Sequence, residues 1–261
     1  MNKKIKKILN KKNKSKIICL TAYSKNIASI LDKHCDLVLV GDSLGSVLYN
    51  YKSTKDVTLG TMIDHSKSVR QGVKKSLMVV DMPYNTYRNS KEALKNAKLV
   101  MKKTKCDAVK LEGGKKIIPI VKSLTKNKIP VMGHLGILPQ TEKKFSFKGK
   151  KLAERNRILK DAQLLEKAGI FSFVLECVET KLSKIITETL KVPTIGIGAS
   201  VYCDGQILVT DDLIGLSENK FRFVKKFAST SKLINSAVKK YKSEVIKRQF
   251  PKAKHSFKNK N

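Results

Sequence analysis

Leu37-Val38-Leu39-Val40-Gly41-Asp42-Ser43, Leu77-Met78-Val79-Val80-Asp81-Met82-Pro83 and Ala108-Val109-Lys110-Leu111-Glu112-Gly113-Gly114 share one construction, a short apolar run that stops at an acid. A strand buried on both faces reads as a continuous Val/Ile/Leu run, and such strands belong to parallel sheets covered by helices. The acid therefore stands at the carboxyl end of a parallel strand, where barrel and open-sheet α/β enzymes gather their chemistry. Three carboxylates brought together there form an oxygen site for a hard divalent cation.

Outward from these three runs, similar segments occur at Ile17 to Tyr23, Pro130 to His134, Phe171 to Glu176, Pro193 to Gly198 and Gln206 to Thr210, which makes eight. Between them the apolar period becomes helical. Leu94, Ala97 and Met101 share one face behind the capping pattern Asn89-x-x-Glu92. Ile158, Ala162 and Leu165 form a second stripe that stops at Gly169, where a helix C-cap belongs. A further helix is predicted from about Thr61 to Lys75. Eight β-then-α units with no linker and no internal repeat predict a closed (β/α)8 TIM barrel, and 261 residues with 41% hydrophobic content suit one such domain. The expected boundaries are a basic N-terminal segment over 1–16, a single catalytic barrel with closing C-terminal helices over 17–250, and a basic tail over 251–261. The polar, basic interval Thr141 to Lys151 suits either a lid or an ordinary surface excursion.

The net charge of +34 invites a nucleic-acid reading, but its distribution argues against one. Eight lysines fall in residues 1–16, and only six of the 55 basic residues are Arg, the side chain that best reads bases and grips phosphates. A lysine-rich solvated surface is expected, with weak salt-sensitive adhesion to polyanions and no specific nucleic-acid partner. Five cysteines at 19, 35, 106, 177 and 203, with no C-x-x-C spacing, predict free thiols in a reducing compartment. No apolar run has signal-peptide or membrane-span length, so a soluble cytoplasmic protein is expected.

Asp42 alone would be an ordinary turn former. Acids after three consecutive strands sit side by side on one barrel rim, where like charges are costly unless a cation or proton neutralises them. Mg²⁺ suits such a set because it takes carboxylate oxygens and keeps waters that a substrate can displace. Lys110, two residues before Glu112, points to the same face and needs a carboxylate or a bound anion, a space-filling Lys110–Glu112 pair being the plainer alternative. Glu176 is a fourth rim acid, expected on a different side of the barrel. Apolar surroundings there would raise its pKa and suit a general base, unless it merely partners a lysine. His134, ending the fifth run, is read as support behind the site. Gly196-Ile197-Gly198-Ala199-Ser200 suits either a phosphate cradle or tight packing.

Taken in order, Thr21-Ala22-Tyr23, Gly41-Asp42-Ser43-Leu44-Gly45, Asp81-Met82-Pro83, Lys110-Leu111-Glu112-Gly113-Gly114, Gly133-His134-Leu135-Gly136 with Pro139-Gln140, Val174-Leu175-Glu176, Ile195-Gly196-Ile197-Gly198-Ala199 and Asp204-Gly205-Gln206 closely resemble the ketopantoate hydroxymethyltransferase (3-methyl-2-oxobutanoate hydroxymethyltransferase) family. The resemblance runs from about residue 17 to Phe250-Pro251. It implies a barrel of the phosphoenolpyruvate/pyruvate type, assembled as a homodecamer. The implied reaction moves a hydroxymethyl group from 5,10-methylenetetrahydrofolate to 3-methyl-2-oxobutanoate through a Mg²⁺-stabilised enolate. Its products are 2-dehydropantoate, on the route to pantothenate and coenzyme A, and tetrahydrofolate. Carried over by position, Asp42, Asp81 and Glu112 match the Mg²⁺ ligands, Asp42, Ser43, Asp81 and Lys110 match the keto-acid contacts, and Glu176 matches the proton acceptor. Ser24, Ser200 and Tyr49-Asn50-Tyr51 depart from the family pattern, and none belongs to the metal set. A Mg²⁺-dependent lyase or mutase of the same superfamily is the alternative, sharing metal and enolate but cleaving or rearranging a bond.

Overall fold

The computed structural model describes residues 2–142 and 146–257; the middle of the expected lid or excursion, 143–145, and the end of the basic tail, 258–261, lie outside the described residues. The chain forms two compact units, Met1–Thr210 and Asp211–Asn261.

In the first unit, β1 (Ile17–Thr21), β2 (Leu37–Val40), β3 (Leu77–Asp81), β4 (Ala108–Glu112), β5 (Val131–Gly136), β6 (Ser172–Glu176), β7 (Thr194–Ile197) and β8 (Gly205–Leu208) pair in parallel in sequence order. β8 returns to pair with β1, so the predicted barrel is closed. Around it run α1 (Lys3–Leu9), α2 (Lys25–Leu31), α3 (Leu44–Tyr49), α4 (Leu59–Gly72), α5 (Ser90–Thr104), α6 (Ile118–Lys126), α7 (Leu152–Lys167) and α8 (Thr180–Thr189). Their ends follow the local signals. The Asn89 side chain accepts from the Glu92 backbone N–H at 2.9 Å at the start of α5, and Gly169 beyond α7 has a φ of +97°. At the departure Tyr49-Asn50-Tyr51, Asn50 itself takes the left-handed conformation, φ 55°, that closes α3.

Side chains alternate across each strand, so the barrel has two apolar layers. Val38, Val40, Met78, Val80, Val109, Leu111, Phe173 and Leu175 face outward and cluster with helix residues such as Ala28, Val69, Ala97, Leu124 and Leu165. Leu37, Leu39, Leu77, Val79, Ala108, Met132, Val174, Ile195 and Ile207 form a second cluster inside the barrel. Lys110 and Glu112 alternate with outward Val109 and Leu111, and so share the interior face, as their spacing predicted.

The N-terminal segment read as a basic stretch contains α1, and Ile5 and Ile8, 2% and 1% exposed, belong to the interior cluster. Several of its lysines meet acids that immediately precede strands. Lys11 lies 2.6 Å from Asp36, Lys12 2.8 Å from the buried Asp204, and Lys4 3.6 Å from Asp107. These contacts lay α1 across the amino-terminal end of the barrel.

α9 (Thr210–Leu213) falls where the units divide, and α10 (Thr230–Ile246) in the second unit buries none of its side chains. The five cysteines are free, and no helix among the described residues is long and apolar enough to cross a membrane.

Ile8→Ala removes a fully enclosed side chain from the interior cluster and is expected to cost about 2–5 kcal/mol in urea unfolding. A loss below about 0.5 kcal/mol, the range of a surface change, would contradict the placement of α1 as part of the core.

Candidate active site

The carboxyl ends of β2 to β6 carry the expected acids, and sheet register decides who meets whom. Asp81 ends β3 directly beside Lys110 of β4, and Lys110 Nζ donates to Asp81 Oδ1 at 2.8 Å with both side chains buried. The partner of Lys110 is therefore Asp81 rather than Glu112. Asp42 follows β2 by two residues, and its backbone N–H donates to Asp81 Oδ2 at 3.1 Å. Ser43 comes next, its hydroxyl 2.9 Å from that of Tyr23 beyond β1.

Glu112 ends β4 beside His134 of β5. His134 Nδ1 lies 3.2 Å from Glu112 Oε1, and Nε2 lies 3.3 Å from Glu176 Oε2. Neither contact is aligned as a hydrogen bond, so the imidazole sits between the two carboxylates by charge. Glu176 is thus one imidazole away from Glu112, not on a different side of the barrel. Its neighbourhood is ionic rather than apolar, and its side chain retains 17% exposure against 3% for Glu112. Gly136, φ +105°, permits this approach, because a Cβ there would stand 2.1 Å from the Glu176 carbonyl oxygen. Ile137 N–H then donates to the same oxygen at 2.9 Å.

Burial opposes charge throughout this layer, and neighbours decide the outcome. Burial, then Asp81 and Glu112, push the Asp42 carboxyl well above the usual carboxylate range, against Lys110 and Gln140. Burial likewise acts against Glu112, but His134, Lys110 and the Gln140 backbone N–H outweigh it and lower its pKa. Burial and Lys110 disfavour imidazolium at His134, yet Glu112 and Glu176 prevail and raise it to about 9. Four acids, Asp42, Asp81, Glu112 and Glu176, thus surround two cations, Lys110 and His134; acid is in excess, and Asp42 is the member that burial and its neighbours press to keep a proton.

A divalent cation matches that excess. Among the described residues no three His, Cys, Asp or Glu side chains converge as a preformed cage. Mg²⁺ requires none, since it is commonly held by one or two carboxylates plus substrate and water. Asp42 and Asp81, tied together through the Asp42 backbone, supply such a pair of oxygen donors, and Glu112 stands behind them with its oxygens toward His134 and Gln140.

Two residues escape a sequence reading. Gln140 donates from Nε2 to Asp42 Oδ2 at 2.8 Å and from its backbone N–H to Glu112 Oε2 at 3.1 Å, while Tyr87 donates its hydroxyl to Gln140 Oε1. Pro139-Gln140 belongs to the ordered motifs, but neither an amide nor a lone tyrosine announces itself by charge or period. The Gly196 segment is closely packed, since a Cβ at Gly196 would stand 3.1 Å from the Cys203 sulfur and from Gln206 Oε1.

A closed parallel barrel with buried acids at its carboxyl end defines a (β/α)8 barrel whose candidate site lies at the mouth where barrel enzymes carry their chemistry. Solved barrels agree in fold. Phosphonopyruvate hydrolase, determined in complex with oxalate and Mg²⁺, superposes with a TM-score of 0.61 at 9% identity, over 97% of this chain and 93% of that one. 2,3-Dimethylmalate lyase, a PEP mutase/isocitrate lyase superfamily member, gives 0.62 at 10% identity, over 97% and 87%. Sequence narrows the class. The pattern of ketopantoate hydroxymethyltransferase matches residues 2–253. The 3-methyl-2-oxobutanoate hydroxymethyltransferase of Pelagibacter ubique (strain HTCC1062) is 70% identical over 257 residues, 98% of this chain and 100% of that one. Its counterpart from Rhizobium etli is 47% identical over 93% of this chain and 90% of that one. The chain belongs to the ketopantoate hydroxymethyltransferase family and is a transferase, as the ordered motifs predicted.

The raised His134 pKa gives a stability that is fully present below the unfolded imidazole value near 6.5 and is lost as pH rises through about 9. Denaturant titrations of metal-free protein in chelator at pH 6 and pH 10 should show wild type losing on the order of 3 kcal/mol more than His134→Gln. Equal losses in the two proteins would refute the imidazolium bridge.

Proposed function

We propose that this chain transfers the one-carbon unit of 5,10-methylenetetrahydrofolate to C3 of 3-methyl-2-oxobutanoate, giving 2-dehydropantoate and tetrahydrofolate on the route to pantothenate and coenzyme A. The observation that carries the reading is the division of the barrel mouth. Lys110, Asp81 and Asp42 form one linked group, and the partly exposed Glu176, held by His134, forms another. One group suits binding of a keto acid, the other removal of its proton. The name of the relative at 70% identity supports the keto acid and the hydroxymethyl transfer, and the hydrolase barrel, solved with oxalate and Mg²⁺, supports a small acid and a cation on such a fold.

Mg²⁺ is the proposed cation, with Asp42, Asp81 and Glu112 as its acidic set; when bound, it would polarise the carboxylate and ketone oxygens of the keto acid. Ser43 offers a hydroxyl donor to the substrate carboxylate. Lys110 is the buried positive charge nearest Asp81, placed to favour negative charge as it develops on the ketone oxygen. Glu176 accepts the C3 proton, and His134, drawn to Oε2, leaves Oε1 as the oxygen turned toward substrate. The C–H electron pair becomes the enolate double bond and then the new bond to the methylene carbon of the folate. Over the whole transfer both C–N bonds to the methylene carbon break with their electron pairs left on N5 and N10; one water is consumed, its oxygen becoming the hydroxymethyl oxygen, and its two protons with the one taken from C3 supply the two N–H bonds and the new O–H. The protein's part is position and field, and the folate brings the electrophile. The family reading also carries a homodecamer and a cytoplasmic setting, with which the five free cysteines accord.

Exchange of the C3 proton of 3-methyl-2-oxobutanoate in D₂O, followed by NMR with and without Mg²⁺, tests this reading. Metal-dependent exchange is expected in wild type, slowed about 10²- to 10⁴-fold by Glu176→Gln, with product only after folate is added. Wild-type enzyme that neither exchanges the proton nor forms product would overturn it, and fragments released without folate would indicate a lyase.

A further inference from the structure

We infer that Gln140, held by the Tyr87 hydroxyl, is a positioning residue that presents Asp42 to the cation and keto acid. The inference rests on the reaction proposed above and adds to it two residues that no acidic motif contains. Gln140 lies four residues beyond β5 and is 1% exposed. Its two amide hydrogens are both used, one on Asp42 Oδ2 at 2.8 Å and one on the Met82 carbonyl at 3.0 Å. Its Oε1 accepts from the Tyr87 hydroxyl, and its backbone N–H reaches Glu112 Oε2 at 3.1 Å.

This set admits one orientation. A reversed amide would set Oε1 against the Met82 carbonyl, an acceptor that carries no proton to give it. The Tyr87 hydroxyl faces Oε1, an amide oxygen that can only accept, and so is the donor of that contact. Asp42 is then fixed at two points. Its Oδ2 is claimed by the amide, its backbone N–H by Asp81 Oδ2, and Oδ1 is the oxygen left for the site.

Glutamine is suited to this place because it is neutral. Lysine or arginine would cancel the excess negative charge that matches a divalent cation, and glutamate would repel Asp42. The same residue touches Glu112, so it bridges two acids whose charges repel each other. Partners that orient metal ligands commonly matter about 10- to 100-fold to metal affinity.

Mn²⁺ binding to the full chain, read from the free-Mn²⁺ EPR signal, is the test, with thermal unfolding of each protein alongside. Gln140→Leu is expected to bind Mn²⁺ about 10- to 100-fold more weakly. Tyr87→Phe keeps the ring and removes only the hydroxyl, so it should weaken binding in the same direction with a smaller fall in melting temperature than Gln140→Leu. Should Gln140→Leu fail to fold, Tyr87→Phe alone decides. Wild-type Mn²⁺ affinity in the folded variants, with or without a lower melting temperature, would overturn the positioning role and leave the proposed reaction standing. Failure of wild type itself to bind Mn²⁺ would overturn both.

Discussion

Lys110 is buried inside a barrel that is otherwise apolar below it, and its 2.8 Å contact with Asp81 is what makes that burial tolerable. An unpaired ammonium there would shed its proton or disrupt the layer, and breaking such a pair by removing one partner typically costs about 3–5 kcal/mol. Once Asp81 is committed to Lys110, the other acids must find partners of their own. Glu112 and Glu176 share the imidazolium of His134, and Asp42 keeps only a neutral amide and the pressure of its neighbours. Each group holds one acid more than it has cations, and around Asp42, Asp81 and Lys110 that extra acid is the one burial presses to stay protonated until a cation takes the proton's place. Affinity for a divalent cation there follows from charge as much as from donor type.

The apolar layer beneath serves the same end. Ile5 and Ile8 of α1 complete the interior cluster, while lysines of the same segment meet acids at the starts of the strands. Low polarity under the ionic layer strengthens each interaction within it and makes an unpaired member costly. The barrel mouth therefore divides into a group fixed by direct contacts, Asp42, Asp81 and Lys110, and a group in which Glu176 keeps some access to solvent. Binding and proton transfer ask for that difference in freedom.

The strands were legible because burial on both faces forces a continuous apolar run, and the acids were legible because they interrupt it. Lys110 and Glu112 could be assigned to one face from their spacing alone. Their pairing could not, since residues two apart on a strand are separated by roughly 6.6 Å along it, whereas Asp81 lies beside Lys110 by a register set between strands. The same dependence on register misplaced Glu176 relative to Glu112. Gln140 and Tyr87 carry neither charge nor periodicity, and only the folded contacts reveal them. In α1 the signal was present, Ile5 and Ile8 three apart on one helical face, but it lay among lysines that made the segment read as surface.

Anomalous scattering from a crystal of the protein soaked with Mn²⁺ and 3-methyl-2-oxobutanoate would test the charge account most directly. A single strong peak bonded to carboxylate oxygens of Asp42 and Asp81 is expected, with Lys110 still on Asp81 and Gln140 still on Asp42. A peak held elsewhere in the chain, or none at the barrel mouth at saturating Mn²⁺, would contradict it.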